Sequence, residues 1–77
     1  MSDAREDAAR LFEQAGDELQ LAADHCRVAA QHLRDGVVPR GAAHAWAARG
    51  HILGAEALLD QQARAHASRS VATADAD

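Results

Sequence analysis

From Ala8 onward, apolar residues return at alternating intervals of four and three positions, the spacing of one face of an α-helix. Two lines result. One carries Phe12, Leu19, Cys26 and Leu33, the other Ala8, Ala15, Ala22 and Ala29. Large residues on one line and alanine on the other predict a helix that buries both lines and approaches its neighbour closely. Gly16 interrupts the pattern at a cost of roughly 1 kcal/mol relative to alanine, and close helix contact is the expected compensation. Ser2 is a cap candidate, followed by Asp3, Glu6 and Asp7, where carboxylates favour the positive end of the helix dipole. The first helix is expected over about residues 3–35.

Gly36 suits a left-handed position after Asp35, and Pro39 suits the first turn of a new helix, where its missing N–H would be unpaired anyway. The turn is placed at 36–39 and a second helix at about 40–67, with Ala45, Ile52 and Leu59 as core positions and Ala48 and Ala55 beside them. Both helices come to roughly 40–50 Å at 1.5 Å per residue. Residues 68–77 are small and polar without periodicity, which predicts a disordered tail. The expected fold is all-α: a two-helix antiparallel hairpin, dimerising into a four-helix bundle.

Composition is the reason for expecting a dimer. A chain of 77 residues with one Phe, one Trp and no Tyr cannot build a deep core from itself. The second helix also carries a strip of small residues, Ala43, Ala47, Gly50, Gly54 and Ala57, on a face distinct from its core face, with Trp46 and Leu53 beside it. Glycine weakens a helix, so Gly50 and Gly54 call for a compensating contact. Ala43, Trp46, Ala47, Gly50, Gly54 and Ala57 are the expected dimer interface.

Charge is uneven. The chain carries a formal net charge of −4, yet residues 25–51 hold Arg27, Arg34, Arg40 and Arg49 against the single acid Asp35. A hairpin would have a basic loop end and an acidic open end, which points to an acidic protein partner at the loop. The acidic balance argues against general nucleic-acid binding. The lone Cys26 excludes an internal disulfide and a cysteine-built zinc site, and the expected setting is the reducing cytoplasm. No cationic leader and no long apolar run are visible, so neither secretion nor membrane spanning is expected.

Four histidines fall in two pairs seven residues apart, His25 with His32 and His44 with His51. Folded at the Gly/Pro turn, position 25 lies opposite 51 and 32 opposite 44, which places all four imidazoles on one edge. Neighbouring levels are two turns apart, roughly 10.5 Å. A metal would therefore take a pair from one level, with a second subunit completing a shell suited to zinc, copper or nickel. Glu18 continues that edge two turns away. Cys26, on a core line, reads as a small apolar filler. The leading expectation is a non-enzymatic interaction and assembly module, with no catalytic residues assigned and the histidine metal site as the alternative.

Arg27-Val28-Ala29-Ala30-Gln31-His32 resembles the Arg-x4-His signature of HEPN ribonucleases. That resemblance implies a helical, dimeric RNA-cleaving protein in which Arg27 and His32 serve cleavage at the dimer interface. More loosely, Gly36 to Ala55 resembles uncharacterised archaeal and bacterial helical-hairpin proteins whose second helix contains Ala-x-Gly, here Ala48-Arg49-Gly50.

Overall fold

The computed structural model describes residues 3–72. They form two α-helices, α1 (Ala4–Arg34) and α2 (Val38–Ser68), each of 31 residues and packed antiparallel, with no strand among the described residues. Ser2 and residues 73–77 lie outside the described residues, so the expected Ser2 cap and the second half of the expected tail fall there. Asp3 is the cap, its carboxylate accepting from the Arg5 N–H at 2.9 Å. No helix of the described residues is long and apolar enough to cross a membrane.

The turn is made by α1's own ending. Val37 N–H donates to the His32 carbonyl at 2.8 Å and Gly36 N–H to the Leu33 carbonyl at 3.1 Å. This pair of bonds satisfies carbonyls that a helix end leaves free, and it needs the left-handed backbone that Gly36 adopts at φ 78°. Pro39 then lies in the first turn of α2, which has no side-chain cap at Val37.

The seam between the helices is narrow because its buried positions are small: Ala15, Ala22 and Ala29 on α1, and Gly41, Ala48 and Ala55 on α2. A Cβ on Gly41 would stand 2.8 Å from Leu33 Cγ and 3.3 Å from the Ala29 carbonyl oxygen, so that position tolerates only hydrogen without movement.

The predicted second core line is not in the seam. Phe12, Leu19 and Leu33 are 53, 47 and 53% exposed, and Cys26, Ala45 and Leu59 are exposed as well, with Ile52 half-buried. The half-buried line beside the alanines is instead Leu11, Glu18, His25 and His32 on α1 and His44, His51 and Leu58 on α2. A residue three after an alanine lies about 60° to one side of it, and a residue four after lies about 40° to the other. Periodicity alone permits either. Large side chains facing the alanines would hold the helices apart and forfeit the close contact, whereas paired polar rings fit a narrow seam and satisfy one another. Nothing lies within 4 Å of a Cβ at Gly16, so the close contact expected there is absent within the hairpin.

Candidate functional site

The seven-residue spacing puts Glu18, His25 and His32 on one stripe of α1 and His44 and His51 on one stripe of α2. Antiparallel packing interleaves the two stripes. His51 Nδ1 lies 2.7 Å from Glu18 Oε2. The His51 and His25 rings stack with centroids 5.4 Å apart and planes at 13°. His25 Nδ1 meets His44 Nδ1 at 2.9 Å, and the His44 ring stacks on His32 at 5.4 Å and 20°. The order along the seam is Glu18, His51, His25, His44, His32, all half-buried.

The pairings expected from the sequence, 25 with 51 and 32 with 44, are both close, but the levels are not separate. α2 sits half a repeat away from the expected register, so His25 lies between His44 and His51. The contact that sequence reasoning missed is Glu18 with His51, residues 33 apart in the chain. The available signal was Glu18's place seven residues before His25.

The chemistry of the row follows from its donors. A nitrogen-to-nitrogen contact of 2.9 Å between His25 and His44 is a hydrogen bond only when one ring donates and the other accepts. At least one of the two is therefore neutral, and their tautomers are complementary. His51 donates from Nδ1 to the Glu18 carboxylate, which leaves its Nε2 as the remaining ring nitrogen. A Cβ on Gly54 would stand 3.2 Å from that Glu18 oxygen. Gly54, placed in the dimer strip by its sequence context, thus has a reason within its own chain: it leaves room for the carboxylate that orients His51.

The row supplies donors two at a time. Among the described residues, no group of three or more His, Cys, Asp or Glu is placed to hold a metal ion. Of the loop-end cations, all exposed, Arg27 lies 3.7 Å from Asp24 and Arg49 lies 3.8 Å from Glu56. Arg34 and Arg40 form no ion pair among the described residues. In the small-residue strip, Trp46 is 76% exposed, and nothing lies within 4 Å of a Cβ at Gly50. Ala43 and Ala57 are exposed and Ala47 is half-buried. A groove of about 520 Å³ lies at the far, open end of the hairpin, bounded by Asp7, Arg10, Leu11, Gln14, Gln61 and Gln62 among others.

The chain matches no family profile, no curated protein and no solved structure. Its functional reading rests on its own geometry. Arg27 and His32, which carry the Arg-x4-His resemblance, are about 140° apart around α1. Arg27 is exposed beside Asp24, and His32 lies in the imidazole row.

Proposed function

We propose that this chain is a small non-enzymatic helical assembly module that works as a homo-oligomer, its basic loop end directed at an acidic protein partner. Its setting is the reducing cytoplasm, where Cys26 stays a thiol. The supporting observation is the make-up of the seam. Among the described residues the buried apolar side chains are all alanine, Ala15, Ala22, Ala29, Ala48 and Ala55, while Phe12, Leu19, Leu33, Trp46 and Leu53 are exposed. Burying a Leu or Phe contributes about 1.5–3 kcal/mol, so a lone hairpin leaves its largest driving force unused. A core of this size rarely supplies more than about 3–5 kcal/mol. Association of copies covers what the hairpin leaves open.

Native mass spectra of untagged protein, before and after chelator, test this reading. A dimer or higher oligomer is expected, and a folded monomer at micromolar concentration overturns it. The acidic-partner half has its own test. Arg34 and Arg40, the loop-end cations without an ion pair among the described residues, are expected to bind polyglutamate in a salt-sensitive way, because exposed charges are screened. The change Arg34→Glu with Arg40→Glu is expected to abolish that binding; retention of binding removes the loop end from the proposal.

A transition-metal reading is favoured by one observation. The 2.9 Å between His25 Nδ1 and His44 Nδ1 is near the separation of two nitrogens on tetrahedral zinc, about 3.3 Å from the usual bond lengths. A second copy would supply the other pair, and zinc, copper or nickel would suit. The same spectra decide: stoichiometric ion lost with chelator supports this reading, and a metal-free oligomer removes it.

A further inference from the structure

We propose that the second copy docks on one particular flank of the hairpin, the flank carrying Phe12, Leu19, Cys26 and Leu33 of α1 with Ile52 and Leu59 of α2. This rests on the self-association reading above and names the surface that performs it.

Two close approaches identify the flanks. Leu33 covers Gly41, and Glu18 covers Gly54. The histidine row and Gly54 therefore share one side of the seam, and the Leu33 line lies on the other. Phe12, Leu19, Cys26 and Leu33, seven residues apart, form a straight ridge along α1, and the last three each follow a seam alanine by four. Ile52 and Leu59 bear the same relation to Ala48 and Ala55 on α2, so antiparallel packing sets them beside that ridge. No charge interrupts either line. The charges bordering α2's line, Arg49 and Glu56, lie 3.8 Å apart and answer one another. The opposite flank presents Glu18 and four imidazoles, whose polar atoms a partner would have to desolvate.

Size and pattern point to a second copy as the occupant. From Phe12 to Leu33 the ridge runs about 32 Å, and two helices side by side span roughly 20 Å. That offers on the order of 600 Å² per copy and 1,200 Å² in a pair, enough for a specific interface. The hairpin's buried side chains are alanines, so the cover has to be present whenever the chain folds. Another copy meets that condition without a second gene product. The surface is also self-complementary. Gly16, Ala23 and Ala30 each follow a ridge residue by four and line its outer side. Nothing of the hairpin comes within 4 Å of a Cβ at Gly16. Under a two-fold axis, such hollows receive the partner's large side chains.

Cys26 makes the test direct, because it stands in the ridge and is exposed in the lone hairpin. Its rate of reaction with N-ethylmaleimide is followed across protein concentration, with native mass measured in parallel. The rate is expected to fall about tenfold as the dimer forms, since thiol reactivity follows access. Leu19→Glu is expected to give monomer and restore the rate, while Leu21→Glu, exposed on the histidine side of α1 three residues after Glu18, changes neither. A wild-type dimer whose Cys26 reacts as fast as in dilute monomer, and which survives Leu19→Glu, overturns the flank and leaves self-association standing. Wild-type monomer at every concentration overturns both. If Leu19→Glu unfolds, Leu19→Ala replaces it: the dimer dissociation constant is expected to rise about tenfold for an interface anchor, and an unchanged constant overturns the flank.

Discussion

Ala55→Leu is expected to cost about 1–3 kcal/mol, a fall in Tm of roughly 5–20 °C for a domain of this size. Ala55 is 1% exposed and sits where the two backbones come close. A leucine there adds three carbons with no space to enter. The helices must separate, and separation also stretches the His51–Glu18 contact at 2.7 Å and the His25–His44 contact at 2.9 Å. Ala57→Leu, two residues on and exposed, is the control and is expected to stay within about 0.5 kcal/mol of the parent. Thermal melts followed by circular dichroism, at one protein concentration because association shifts Tm, make the comparison. An Ala55→Leu protein that melts with the parent would show that the seam is not closely packed.

The second large effect concerns the imidazole row. His44→Ala is expected to cost about 1–2 kcal/mol, because it leaves His25 Nδ1 half-buried with no partner and opens a gap in the seam. His25→Ala acts in the same way from the other side. The double variant is expected to lose less than the sum of the two, by about 0.5–1.5 kcal/mol, since the shared hydrogen bond is removed only once. His66→Ala, at an exposed position near the end of α2, is expected to be additive with either. Urea unfolding of the four proteins in the cycle measures the coupling. Additivity between His25 and His44 would mean that their contact contributes nothing to stability.

Much of the hairpin was legible residue by residue. Asp35-Gly36 and Pro39 announce the turn, and the structure meets that expectation with Gly36 at φ 78° and Pro39 in the first turn of α2. The alanine line was legible too, since small residues at a helical period have few uses other than close packing. The line beside it was not. Phe12, Leu19 and Leu33 look like core by their hydrophobicity, yet in the lone hairpin the histidine line takes that place. Hydrophobicity says that a residue gains from burial; it does not say whether the cover comes from the same chain. Gly54 also has a role that its sequence context did not show, for a related reason. Its missing side chain makes room for Glu18, which lies 36 positions away in the sequence.

What the sequence determined by itself is what short-range energetics decide: two helices, their ends, the turn and the alanine stripe. Each depends on bonds and clashes within a few residues, so a local window contains the cause. What only the tertiary structure decided is the rotation of each helix about its axis and the slide of one along the other. Those two motions change no intrahelical hydrogen bond, so nothing local selects among them. The selection is made across the seam, by Leu33 closing over Gly41, Glu18 seated at Gly54 and one imidazole nitrogen finding another. Half a repeat of slide turns two separate histidine levels into one continuous row.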